Sequence, residues 1–156
     1  MSGGNGPQVV RWVPESIQDQ FLALGYAAAL CSVSRTHQQD FTWRLVAVLQ
    51  PAITMRQFIV YFNDEGAPVG FVAWARLTAD VVSTCQRDTS FLLHLSEWNE
   101  GDLRCIVDST APYGHAKPMI QDFASGQPWQ PLSPRIFTKE KMSCTAHFGS
   151  QHYSLF

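Results

Sequence analysis

The chain has 156 residues, a length that suits one domain and leaves no room for a second full core. Apolar residues make up 46% and charged residues only 15%, against about 25% in typical globular chains; extensive disorder is excluded, and apolar surface is expected to meet large partners or a second subunit. The net charge of −2 comes without a run of Lys or Arg, which argues against nucleic acid, and the longest uncharged apolar-rich stretch, Phe21 to Val33, is too short for a membrane helix.

In chain order, Ser2 to Gly6 is Gly-rich and polar and lacks the basic start and apolar run of a secretory signal. Residues 1–13 are therefore expected to be a flexible tail, 14–156 a single domain, and the location cytoplasmic. Pro14 and Glu15 suit a first helical turn, and Ile17, Phe21, Leu24 and Ala28 form an apolar stripe at helical spacing that continues to about Leu30. A polar stretch from Ser32 to Gln38 holds His37. A second helix is predicted from an Asp40 N-cap, with Phe41, Leu45, Val48 and Leu49 on one face and Pro51 ending it.

The runs Gln57 to Phe62 and Val69 to Leu77, separated by Asn63-Asp64-Glu65-Gly66, predict a hairpin. Thr78 to Gln86 reads as a helix, Phe91 to Trp98 as helix or strand, and Leu103 to Thr110 as a strand. Strict alternation there would put Ile106, Asp108 and Thr110 on one face and Cys105 and Val107 on the other, so a carboxylate interrupts an apolar strand. A short helix follows at Lys117 to Phe123, then a loop, and Pro134 to Lys139 with Ser143 to Phe148 as a terminal hairpin. The order of elements implies an α/β (α+β) fold with helices flanking a mostly antiparallel central sheet.

Cys31, Cys85, Cys105 and Cys144 contain no C-x-x-C pair, so they read as reduced thiols, Cys105 as a packed one. His147 and His152 have no acidic or thiol partner nearby, and no metal site is assigned.

Several stretches in order resemble one family: Ser34-x-x-His37, fourteen residues ahead of Pro51-Ala52-Ile53; Gln57-Phe58-Ile59-Val60 leading to Ala67 through Ala75; and Gly101-Asp102 before Ile106-Val107-Asp108-Ser109-Thr110-Ala111-Pro112-Tyr113-Gly114. Together they are similar to the RTX toxin-activating lysine acyltransferases over roughly residues 20 to 125. The resemblance implies a GNAT-like fold, an acyl donor that is acyl-carrier protein and not coenzyme A, an RTX protoxin as acceptor, and His37 with Asp108 as the catalytic pair. Val48 stands where that family commonly has Asn, and the chain after Phe123 finds no counterpart in the family pattern.

Chemistry agrees with the pair. A lysine amine, with a reference pKa near 10.4, is protonated at neutral pH and needs a base; His37 suits that role, or that of a transient acyl acceptor, and Asp108 could orient it. Ser34, Trp74, Ala111, Tyr113 and Gly114 are the candidate substrate and acyl-carrier contacts. Trp74, with Phe71, Ala73 and Ala75, reads as core packing or as an acyl-chain wall. Ala111 to Gly114 occupies a strand-to-helix junction, where one glycine and a Pro112 without an N–H make a poor diphosphate cradle and suit a carrier's pantetheine better. Lys117 reads as a solvated side chain. No tightly bound cofactor is expected, the donor being acyl-acyl-carrier protein, and the low charge suits a homodimer. Rival readings are a coenzyme A-dependent N-acyltransferase and a non-catalytic binding module.

Overall fold

The computed structural model describes residues 8–39, 41–88 and 91–125 and the backbone of 135–136. The expected Asp40 cap, Cys144, His147 and His152 lie outside them, as does most of the terminal hairpin.

Among the described residues five strands form one sheet in the order β1-β2-β3-β4-β5: β1 Val10–Trp12, β2 Phe58–Phe62, β3 Pro68–Leu77, β4 Leu103–Thr110 and β5 Arg135–Ile136. The first four pair antiparallel in sequence, and β5 runs parallel to β4. Residues 10–12 fall within the stretch expected to be a flexible tail, yet Val10 faces Phe62 and Trp12 faces Val60 across the sheet. Trp12 is held there by edge-on contacts with Tyr26 and Phe62. The β2–β3 hairpin turns where the sequence indicates: Asn63 Oδ1 accepts from the N–H groups of Glu65 and Ala67, and Gly66 takes a φ of 76°, open to glycine at no steric cost.

Helix α1 spans Ile17–Val33. It starts after Pro14, because Ser16 closes a capping box with Asp19 in which each side chain bonds the other's backbone N–H at 3.0 Å. Its buried residues are Ala23, Ala27, Leu30 and Cys31, while Ile17 and Phe21 of the expected inner stripe are largely exposed. The helix is apolar on most sides, and the small alanines allow the closer approach to the sheet.

Helices α2 (Arg35–Gln38) and α3 (Phe41–Arg44) follow, then a wide π-type turn Leu45–Leu49 and α4 (Gln50–Thr54). Pro51 thus does not end the helical stretch. The wide turn, closed by Gln50 N–H to the Leu45 carbonyl, accommodates a residue that has no N–H to donate. Helix α5 (Ala79–Arg87) is capped by Thr78, whose Oγ1 accepts from Val81 N at 3.3 Å. A 3₁₀ turn covers only Leu95–Trp98 of the ambiguous stretch, and α6 spans Ala116–Ser125.

The sheet has a core on each face. On one, Phe58, Val60, Phe71, Ala73 and Ala75 pack with residues of α1, α4 and α5 and with Trp98; on the other, Ile59, Tyr61, Val72, Trp74 and Ile106 pack against Met119, Ile120 and Phe123 of α6. This is an α/β architecture, and Cys31, Cys85 and Cys105 are buried within it. Among the described residues no helix is long and apolar enough to cross a membrane.

One irregularity decides which face Asp108 serves. The β3–β4 register shifts between Ala73 and Trp74: Trp74 faces Ile106, but Ala73 faces Asp108. Cross-strand partners share a face, so this bulge places Asp108 on the face of Ala73 and Cys105, toward α1–α4, and not with Ile106 as strict alternation predicts.

Candidate active site

Ser34 breaks the helix between α1 and α2 with an extended backbone, φ −90° and ψ 118°. The single turn that follows brings His37 back over it: His37 N–H bonds the Ser34 carbonyl at 3.0 Å, and Ser34 Oγ lies 2.7 Å from His37 Nδ1. Thr36 Oγ1 stands 3.0 Å from the same nitrogen and 3.2 Å from Ser34 Oγ. The ring is only 3% exposed and rests edge-on against Phe71 of β3, 6.1 Å between centroids.

The other ring nitrogen, Nε2, is 3.0 Å from Asp108 Oδ1. An ionised carboxylate accepts only, so Nε2 carries a hydrogen, and in the neutral ring Nδ1 is the acceptor for a hydroxyl of Ser34 or Thr36. Asp108 is 6% exposed; its second oxygen, Oδ2, is 2.8 Å from Arg44 Nη1, an ion-pair contact off the axis of an aligned hydrogen bond. A buried carboxylate needs such partners to remain charged. Cys31 lies within electrostatic reach, and burial above all, with the Asp108 charge adding and Arg44 opposing, pushes its thiol up to about 12. It is therefore a neutral thiol and not a rival nucleophile.

A cavity of about 30 Å³ opens beside this group, lined by Ser34, Thr36 and His37, by Ser109, Thr110 and Ala111 at the end of β4, and by Ala116, Met119 and Ile120 of α6. Asp108 does not line it, so the cavity meets His37 on its hydroxyl side. The space suits a group the size of an amine nitrogen.

Of the residues singled out from sequence, Ser34, His37 and Asp108 come together, and Ala111 reaches the cavity wall. Tyr113 is exposed and Gly114 takes a φ of 84° in the turn before α6; both follow Ala111 closely in the chain but do not line the cavity. Trp74 is fully buried on the opposite face, 5.4 Å from the Phe123 ring, as its core reading requires. Lys117 is exposed. Thr36 and Arg44 were not singled out from sequence. A threonine beside a histidine carries no signal, and an arginine closing a short helix reads as solvated until its partner on a distant strand is known.

The sequence profile described as the RTX toxin acyltransferase family (HlyC) matches residues 16–144, running beyond Phe123, where the sequence reading found no counterpart. Similar proteins include the leukotoxin-activating lysine-acyltransferase LtxC of Aggregatibacter actinomycetemcomitans, 34% identical over 62% of this chain and 56% of its own length. The leukotoxin-activating lysine-acyltransferase LktC (serotype A11) of Mannheimia haemolytica is 32% identical over 71% of the chain and 65% of its own length. For the protein-lysine myristoyltransferase RtxC of Kingella kingae the figures are 32%, 62% and 56%. The chain thus spans less than two thirds of the length of each of these relatives.

Proposed function

Given that the chain belongs to the RTX toxin acyltransferase family, we propose that it is a protein-lysine acyltransferase that moves a fatty acyl group from acyl-carrier protein to an internal lysine of an RTX protoxin, activating the toxin. The observation that carries this reading is the contact between His37 and Asp108, residues 71 apart in sequence, inside a buried site that opens on a cavity. It is supported by relatives whose names describe lysine acylation. The antiparallel sheet with α6 docked behind the strand of Asp108 agrees with the GNAT-like fold that the resemblance implies.

In this mechanism the lysine amine enters the cavity and attacks the thioester carbon. As the C–N bond forms, the amine proton passes to His37 Nδ1, directly or through the hydroxyl of Ser34. Asp108 holds the ring and stabilises the imidazolium. The C–S bond then breaks, and the imidazolium returns its proton to the departing pantetheine thiolate, so the products are an amide and a thiol. The junction from Ala111 to Gly114, with Pro112 lacking an N–H, suits the pantetheine arm of a carrier better than a free diphosphate. Tyr113, exposed beside it, is the side chain offered to the carrier. No tightly bound cofactor is part of this scheme. The outward face of α1, where Ile17, Phe21 and Leu22 are exposed, supports a homodimer or a large protein partner, and the reading places the reaction in the cytoplasm.

The test is intact-mass analysis of an RTX protoxin incubated with this protein and acyl-loaded carrier. An acyl mass shift is expected with the native chain, with a loss of about a hundredfold or more for His37→Ala at unchanged circular dichroism. A fully active His37→Ala protein ends this assignment.

A further inference from the structure

The steps above give the buried charge of Arg44 no task. Arg44 closes α3 and is 7% exposed, and taking a guanidinium out of water is costly unless a partner repays it. An arginine kept inside for packing alone would distribute its donors over nearby carbonyls. This one leaves its Nε without a hydrogen-bond partner and directs Nη1 at the carboxylate oxygen that His37 does not use. The two oxygens of Asp108 are thereby divided, Oδ1 to the imidazole and Oδ2 to the guanidinium. The wide turn that begins immediately after Arg44, at Leu45, is the kind of helical irregularity found at functional sites.

We propose that Arg44 is a positioning residue for acyl transfer: it holds the Asp108 carboxylate in the plane that serves His37 Nε2 and offsets its charge, so that the ring rests without an extra proton. The inference builds on the acyltransferase reading. A buried aspartate facing a histidine alone draws a proton onto the ring, since attraction between charges is stronger in the interior than in water. A ring that already holds that proton cannot accept one from a lysine. With Arg44 in place the resting site sums to zero, and the proton taken up during attack leaves a surplus positive charge that favours its return to the thiolate. The groups facing His37 are Asp108 from β4, the hydroxyls of Ser34 and Thr36, and the uncharged Phe71 from β3; Arg44 from α3 acts on it through Asp108, and the Cys31 thiol of α1, within reach of that carboxylate, stays neutral.

Two full-chain variants test this, Arg44→Gln and Arg44→Lys, with two readouts: acyl-transfer rate against pH, and titration of the His37 ring by NMR, which needs no activity. For Arg44→Gln we expect kcat to fall about tenfold to a hundredfold near neutrality, with KM for the acyl-loaded carrier within about twofold. The deficit should shrink as pH rises, and the ring should titrate at higher pH than in the native chain. Arg44→Lys should keep the native titration and a rate within about threefold of native. A native rate and unmoved titration in Arg44→Gln overturn the proposal. If Arg44→Gln does not fold, Arg44→Lys decides: a displaced titration or a loss beyond about tenfold in the folded protein overturns it equally. A native chain that transfers no acyl group defeats the acyltransferase reading instead, while the ring titration still judges Arg44.

Discussion

The sheet carries an arginine, an aspartate and a ring on each side, and the two trios differ in what their ring can do. On the α1–α4 side Arg44, Asp108 and His37 are all nearly inaccessible, with Asp108 bound on both oxygens. On the α6 side the Tyr61 hydroxyl donates to Asp122 Oδ2 at 3.0 Å and Arg11 stands 3.7 Å from the same oxygen, but Asp122 and Arg11 are each 31% exposed. Burial above all, with the Asp122 charge adding, pushes the Tyr61 phenol well above its ordinary range, so its proton never leaves at physiological pH. An imidazole in the corresponding role can gain and lose a proton near neutrality. The same kinds of group therefore make a fixed strut on the α6 face, whereas on the other face the proposed function asks the ring to exchange a proton.

Substitutions should expose that difference, the largest effect coming from Asp108. Asp108→Ala leaves Arg44 as a buried charge without its partner, at a cost of about 3–5 kcal/mol in urea unfolding, and transfer measured by mass should fall about a hundredfold or more. Asp122→Ala should cost far less, because its position is already partly hydrated, and leave transfer at the native rate. Tyr61→Phe removes one hydrogen bond and should destabilise by about 1 kcal/mol, again without loss of transfer; a large activity loss there would erase the contrast between the faces. The smallest effect is expected at Asp19, whose carboxyl is held below its ordinary value of 3.8 chiefly by the Ser16 backbone N–H. A group lowered on folding stabilises above its unfolded value and loses that contribution as pH falls through its folded one. Asp19→Asn should therefore melt slightly below native at pH 7, and the gap should close as the pH falls through the lowered folded-state value.

What could be seen in the sequence follows from how local each signal is. The β2–β3 hairpin, α5 and α6 are written in adjacent residues, turn formers and caps, and appear where expected. Helix α1 is legible as a helix but not in its orientation, since apolar residues on nearly every side leave the sheet free to choose Ala23 and Ala27 over Ile17 and Phe21. Pro51 misleads because its usual effect assumes regular α geometry, which the wide turn at Leu45–Leu49 sets aside. The nearness of His37 and Asp108 was anticipated only through the family resemblance; no local pattern in either segment specifies the other. Arg44 carries no such signal, because its partner Asp108 lies on β4, far from α3 in the chain.

The shifted register opposite Ala73 and Trp74 has a consequence for how this protein could change. Parity along β4 determines on which side of the sheet the carboxylate arrives, so inserting or deleting a single residue between Cys105 and Asp108 would exchange a site for a packing defect while leaving composition almost untouched. Substitutions can be sampled one at a time along this strand, but its length is tied to the contact between Asp108 and His37. Any graft of β4 into another scaffold must carry the matching spacing of β3 with it.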